Sequence, residues 1–351
     1  MFDGIFQAIG LLVLAMLAAG LWAFWHFRRR LNHWRYYGVA ASINRFPGRV
    51  FLRPLEDFRW LKGDRAVQRV KAFQEAGFED LAGFAVDELP GARLFVLRQS
   101  RTGMVGVVHE QDELGTWSDV MLFKPGEAQP IVASSLLKRA HFHLLPGDPK
   151  LFEPGGSVAQ LCEAVTKAAG RGAVGEALTA ESFQTRFEQA FAVSVDARLL
   201  QPLEDYELRR LVRDRGGDDE ATEMEETEID SIKQVLPKAI NNELRLVCVA
   251  QFLRETTLAA ADWQRARDRI AVIHDRTPLH ELVGRTIYGV FWTKRLRQRL
   301  RRLRRQGGAP REIFAELNAT LPPWDRYKKI GEVTRPVPAD IYRAPLESES
   351  A

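Results

Sequence analysis

Cysteine is scarce in this chain: Cys162 and Cys248 are the only two among its 351 residues. Two cysteines are too few for a disulfide-stabilised fold or for a zinc site built from cysteine alone. Neither charge is in strong excess, because 50 Lys and Arg residues against 46 Asp and Glu residues leave a net charge of +4. That balance does not by itself indicate a nucleic-acid partner. With 46% hydrophobic and 27% charged residues, the composition excludes a wholly disordered chain.

Common catalytic motifs are also missing. The sequence contains no P-loop, nucleophile elbow, kinase motif set, HExxH, CxxC or EF-hand loop. Residues 170–175 match G-x-G-x-x-G, but dinucleotide binding requires that motif to follow a strand and begin a helix. The residues before it have a helical pattern, so we interpret these glycines as a link between two domains.

The longest uncharged stretch lies at the amino-terminal end. Residues 4–27 (GIFQAIGLLVLAMLAAGLWAFWHF) contain no Asp, Glu, Lys or Arg over 24 positions. As a helix, this stretch would measure roughly 36 Å, enough to cross a hydrocarbon core of about 30 Å with some tilt. Trp22, Trp25 and Trp34 lie towards one end, where such rings favour the lipid headgroups. We predict a single-pass transmembrane helix, and a membrane anchor over residues 1–30.

Charges beside this segment predict its orientation. Only Asp3 precedes it, whereas a group of arginines follows: Arg28, Arg29, Arg30 and Arg35. The positive-inside rule then puts the amino terminus outside and the remaining domains in the cytoplasm, at an inner (plasma) membrane of bacterial type. A cleaved signal peptide and a buried core helix are the alternatives. A signal peptide would need its basic residues before a shorter apolar run.

Residues 60–170 predict a compact α+β domain. From residue 84 to 144, short β-rich runs alternate with a period of two and are separated by turn-forming residues. Such short connections favour an antiparallel sheet, because parallel neighbours need long crossovers. Both alternating sets in residues 92–99 are apolar, so we expect this strand to be central and covered by helices over 65–76 and 158–169. Asp64 is the expected cap of the first helix, and Ser157 begins the second.

Beyond residue 175 the pattern is mainly helical. We predict an all-α domain over 176–320, with a helix end or start at Pro237, and an irregular tail over 321–351, which holds five of the 17 prolines. Residues 31–59 form a juxtamembrane connector. The predicted fold class is α+β: a single amino-terminal transmembrane helix, a small antiparallel sheet with covering helices, and then the all-α domain.

The strand region offers a weak set of metal ligands. Its candidate ligands are His109, His141 and His143, with Glu110 or Asp148 as the added carboxylate, and Asp119 joins the polar side chains of an enzyme site in the same region. His141 and His143 are two positions apart in an expected strand, so both imidazoles would project from one face, and His109 would have to approach them. Three such ligands suit zinc or iron. The same spacing is typical of an ordinary polar sheet face, and we therefore predict no metal and no other cofactor.

Two blocks of charge distinguish the second half of the chain. Residues 218–230 hold eight acidic and no basic side chains, and residues 285–311 hold ten basic and no acidic ones. An apolar stripe follows the basic block: Tyr288, Trp292, Leu296, Leu300 and Leu303. Arginine on one face and apolar side chains on the other are typical of a helix on anionic lipid. The residues expected to contact such a surface are Arg295, Arg297, Arg301, Arg302, Arg304 and Arg305.

Other interpretations of the basic block stay open. In one interpretation, the apolar stripe packs on the helical domain and the arginines are only solvated. In another, the helix binds RNA, DNA or an acidic protein. The sequence leaves open whether the acidic block (218–230) pairs with the basic block (285–311). As a function we favour a membrane-tethered interaction, scaffold or accessory subunit of a membrane-associated complex, with an unidentified protein partner, over an enzyme. A ligand-binding or metal-dependent enzyme domain on the sheet is the alternative.

Overall fold

A computed structural model of the chain describes residues 16, 19–28, 48–61, 63–89, 91–112, 115–136, 150–152, 155–170, 172–201, 203–209, 226–256, 270–278, 282, 298, 301–303, 305, 307–323 and 326–344. The chain divides into two compact units. Met1–Ile43 with Leu203–Asn242 form the first, and Asn44–Pro202 with Glu243–Ala351 form the second. The division into five segments stays a prediction.

The second unit contains a seven-stranded sheet whose strands follow one another in chain order. They are β1 (Leu52–Pro54), β2 (Glu79–Val86), β3 (Arg93–Gln99), β4 (Met104–Gln111), β5 (Gly115–Leu122), β6 (Ile131–Ser134) and β7 (Lys150–Phe152). The first six are antiparallel, and β7 pairs in parallel with β6. The predicted antiparallel sheet and the α+β class are thus confirmed.

Helices cover both faces of this sheet. α1 (Asp64–Glu75) and α2 (Val158–Ala169) lie on one face, and α3 (Ala180–Leu200) lies on the other. The α1/α2 face buries Phe73, Leu97, Val108, Val120, Leu122 and Leu161. The α3 face buries Phe84, Leu94, Val96, Val107, Met121 and Phe183. Because β3 contributes apolar side chains to both clusters, its expected position inside the sheet is confirmed.

Capping agrees with the sequence at one helix and differs at another. Ser157 and Gln160 form the expected capping box at the start of α2. At α1 the residue before the helix is Gly63, and Asp64 is already inside the first turn, so the predicted cap is wrong by one position. A carboxylate there still favours the helix through its dipole.

Side chains of α3 close the outer edge of β1. Glu188 Oε1 accepts a hydrogen bond of 2.8 Å from the Leu52 amide, and Gln184 Nε2 donates one of 2.7 Å to the Leu52 carbonyl oxygen. Both backbone groups of Leu52 that point away from β2 are therefore occupied. Pro54 ends the strand and has no amide hydrogen to offer.

A smaller sheet lies in the carboxy-terminal part of the second unit. β8 (Ile270–His274) and β9 (Lys328–Val333) flank β10 (Ala339–Arg343), and both pairs are antiparallel. The helix α5 (Pro310–Ala319) packs Ile313, Phe314 and Leu317 against this sheet. The predictions of an all-α region over 176–320 and an irregular tail over 321–351 are therefore wrong. The prolines at 336 and 338 lie between β9 and β10, where they leave the pairing intact.

The long helix α4 (Glu226–Glu255) continues through Pro237, where we expected a helix boundary. In the first unit, Val235, Leu236 and Ala239 are buried in one apolar cluster with Leu208 and Ile229. Apolar packing on both sides of the proline outweighs the roughly 3 kcal/mol that proline costs inside a helix.

Met16 and residues 19–28 of the first unit are helical. In the part of the chain that the structure describes, no helix is both long and apolar enough to cross a bilayer.

Candidate functional site

His109, Trp117 and Asp119 form a buried polar cluster on the α3 face of the main sheet, which we name the His109 cluster. His109 on β4 lies directly opposite Trp117 on β5, and their rings stack with centroids 4.5 Å apart. His109 Nε2 lies 2.9 Å from Asp119 Oδ2. The exposed fractions are 8%, 8% and 5%, so the histidine is held from two sides and nearly removed from solvent.

An imidazole beside a carboxylate is the arrangement that orients a general base. The residue opposite Asp119 on the next strand is Ser134, which is also buried. In a catalytic triad the histidine lies between carboxylate and serine. Here the carboxylate is on the middle strand, and β4 and β6 are two strand spacings, or about 10 Å, apart. The His109 cluster therefore does not activate Ser134 as a nucleophile.

The polar side chains on the other face tie α1 and its preceding segment to the sheet. Arg69 donates hydrogen bonds of 3.1 Å to the hydroxyls of Ser118 and Ser135. Burial lowers the pKa of Arg69, with Arg65 as a further cause, while the charge of Asp119 raises it. Glu110 accepts a 2.6 Å hydrogen bond from the Leu61 amide. These contacts satisfy buried polar groups and hold elements together.

The structure separates two of the candidate metal ligands, His109 and Glu110. His109 and Glu110 are consecutive residues of one strand, so their side chains point to opposite faces and cannot share an ion. His141, His143 and Asp148 lie outside the described residues. Among the residues that the structure does describe, no group of three His, Cys, Asp or Glu side chains could hold a metal.

The two cysteines are poor nucleophiles. Burial raises the pKa of Cys162 to about 11 and that of Cys248 to about 12. Nucleophilic attack and metal binding need the thiolate, which is scarce at neutral pH when the pKa is that high.

The G-x-G-x-x-G match has a structural role. It follows α2 rather than a strand, and Gly175 donates a backbone hydrogen bond of 2.9 Å to Thr102. A Cβ at Gly175 would lie 2.7 Å from the carbonyl oxygen of Gly103, so the glycine permits two backbones to approach. These glycines let the backbone at Gly175 pass close to the backbone at Gly103, and they do not form a dinucleotide site.

Three arginines of the basic block, Arg301, Arg302 and Arg305, lie with Gln298 on one helical surface, which we name the arginine face. These residues line an open cleft of about 380 Å³ and are all exposed. Leu303, a member of the predicted apolar stripe, is 8% exposed and packs with Phe314 and Tyr342. Arg295, Arg297 and Arg304 lie outside the described residues.

The amino-terminal helical residues expose their apolar side chains. Met16, Leu21, Trp22, Phe24, Trp25 and Phe27 are each between 54% and 70% exposed. Arg28 follows them in the same helix, and Arg29 and Arg30 lie outside the described residues.

No protein-family model, curated protein or solved structure matches this chain. The sequence pointed to His109 and Asp119 as candidates, but the stacking of Trp117 on His109 was not predicted. Strict alternation in residues 116–119 (TWSD) puts Trp117 and Asp119 on one face and could have revealed it. The Arg69 contacts carried no such signal, because they join segments about 50 residues apart.

Proposed function

We propose that this chain is a membrane-tethered interaction protein, a scaffold or accessory subunit of a membrane-associated complex. In this proposal residues 4–27 cross the inner membrane once, with the amino terminus outside and both folded units in the cytoplasm. The observation that carries it is the run of six large, exposed apolar side chains between Met16 and Phe27. Contiguous apolar exposure on this scale marks a surface that another apolar phase covers.

The free energy favours lipid as that phase. If each of the six side chains exposes about 100 Å², transfer to hydrocarbon at roughly 25 cal/mol per Å² is favourable by on the order of 15 kcal/mol. Arg28 at the end of the run is the first of three consecutive arginines. Arginines beside a span favour the cytoplasmic side, which supports the proposed orientation.

Membrane fractionation tests the tether. The full chain should stay in the membrane pellet after an alkaline carbonate wash. Replacing Met16 and Leu21 by arginine should release it, because each arginine near the helix centre costs about 2.5–3.5 kcal/mol on insertion scales. Met16→Leu with Leu21→Met is the matched control and should remain in the pellet. Full release of the unaltered chain by carbonate would refute the anchor.

Purification in mild detergent tests the interaction role. We expect one membrane or cytoplasmic protein to co-purify in stoichiometric amount with the tagged full chain, and less of it with a form lacking residues 1–30. A chain that arrives alone and carries a bound metal or small molecule would contradict this role.

The second candidate, an enzyme or ligand-binding domain on the sheet, rests on the 2.9 Å contact between His109 and Asp119. It predicts that His109→Asn removes a bound small molecule from the purified protein. The scaffold proposal predicts that this variant retains its protein partner. Deep burial of the His109 cluster favours the scaffold, because a substrate must reach the groups that act on it.

A further inference from the structure

The arginine face has a fixed orientation on its helix. Gln298, Arg301, Arg302 and Arg305 fall at spacings of three, one and three residues and share one side at about 100° per residue. Leu303 lies about 150° around the helix from the centre of that side. Because Leu303 is buried against the smaller sheet, the arginine face points away from the core.

The three arginines of this face keep their charge available. Two other cations of the second unit are paired: Arg311 binds Asp275 with atoms 2.8 Å apart, and Lys329 lies 2.7 Å from Asp340. None of the arginines at 301, 302 and 305 has an ion pair to a carboxylate within the described residues. Three positive charges thus surround one open cleft. A guanidinium group matches the geometry of phosphate oxygens and binds them through two hydrogen bonds.

We propose that the arginine face binds the phosphate groups of anionic lipid headgroups, with its helix lying on the membrane surface and not embedded in it. The proposal rests on the tether proposed above, which holds the chain at a bilayer and raises the effective concentration of lipid. Burial of Leu303 removes it from the apolar stripe that an embedded helix would need. Binding is therefore electrostatic, and salt weakens it.

A flotation experiment separates this contact from the tether. The full chain is first reconstituted in nanodiscs of neutral phosphatidylcholine, which occupy the apolar helix. The discs are then mixed with vesicles of phosphatidylcholine alone or with 30% phosphatidylserine. We expect flotation only with the anionic vesicles, with loss on going from 50 to 500 mM NaCl.

Two variants that remove the same charge give the decisive comparison. Arg301→Gln/Arg302→Gln/Arg305→Gln should weaken binding to the anionic vesicles about a hundredfold, at roughly fivefold for each basic residue near such a surface. The control replaces three exposed basic residues of α1 and α2: Arg65→Gln/Lys71→Gln/Lys167→Gln. It should bind like the unaltered chain. Equal thermal midpoints would establish that all three proteins are folded.

Equal binding of the two variants, or equal flotation with neutral and anionic vesicles, would overturn the proposal. So would displacement of the vesicles by a stoichiometric RNA or DNA oligomer, which would assign the arginine face to nucleic acid. A chain that stays out of the nanodiscs refutes the tether alone, and flotation of that chain without discs still measures the arginine face.

Discussion

Arg49 and Asp196 form a buried ion pair whose disruption should unfold the second unit more easily. Their side chains are 2.8 Å apart and only 3% and 15% exposed. Arg49 also donates hydrogen bonds to Gln251 (2.9 Å) and to the Gly48 carbonyl oxygen (2.8 Å). One guanidinium thus joins the segment before β1 to α3 and α4. Arg49→Met keeps the unbranched apolar stem of the side chain and removes its charge and donors.

The cost follows from what remains behind. Removal of one partner of a buried pair leaves the other charge unpaired, at about 3–5 kcal/mol. Burial raises the pKa of Asp196, whereas the charges of Arg49 and, to a smaller extent, Arg335 lower it, so the carboxylate keeps one cationic neighbour when Arg49 is replaced. We therefore expect Arg49→Met to reduce the free energy of unfolding by about 3 kcal/mol. The double variant Arg49→Met/Asp196→Leu should recover to within about 1 kcal/mol of the unaltered chain.

Urea unfolding of the full chain in detergent measures these changes through tryptophan fluorescence and circular dichroism. Arg53→Met is the control, because the Arg53–Asp87 pair has a similar distance of 3.0 Å but is 60% and 50% exposed. Loss of such a surface pair costs about 1 kcal/mol or less. If Arg49→Met costs no more than Arg53→Met, or if the double variant is the least stable of all, the unpaired charge of Asp196 is not what destabilises the second unit.

Two further predictions concern groups whose pKa is raised by burial. Burial raises the pKa of Glu243 above its ordinary 4.5, so ionisation opposes folding as the pH rises past that value. Glu243→Gln should raise the urea midpoint at pH 7 and leave it unchanged at pH 3.5; the opposite order would contradict this. Iodoacetamide at pH 8 should modify Cys162 and Cys248 slowly in the folded chain and rapidly in urea, because fewer than about 1% of either thiol is ionised in the folded chain. Mass spectrometry of the two peptides measures both rates.

Local patterns of the sequence were sufficient for the main sheet. Alternation identified its central strands, and the pair Ser157 and Gln160 located the start of α2, because both signals depend on neighbours a few residues away. The smaller sheet had no such signal. β8 pairs with β10 across 64 or more intervening residues, and a run of four apolar residues (270–273) is equally compatible with a buried helix segment. Two of the five prolines that suggested an irregular tail, at 336 and 338, lie between β9 and β10.

For the candidate sites too, local sequence patterns predict some features, whereas other features depend on contacts that only the folded chain makes. Alternation alone places His109 and Glu110 on opposite faces, which excludes a shared metal ion. The His109–Asp119 contact depends on the register of the hairpin between β4 and β5, which the sequence does not specify. Charge spacing indicated the arginine face, but the burial of Leu303 depends on Phe314 and Tyr342, which only the folded chain brings to it.

The hydrogen bonds from Gln184 and Glu188 to Leu52 have a consequence for synthesis on the ribosome. β6 ends at Ser134, and Glu188 is made 54 residues later. At roughly 5–20 residues per second, the nascent sheet has an open edge at β1 for about 3 to 11 seconds. Open strand edges invite pairing with other chains. Strand exchange between neighbouring nascent chains is therefore a hazard of this interval, and the finished protein no longer offers that edge.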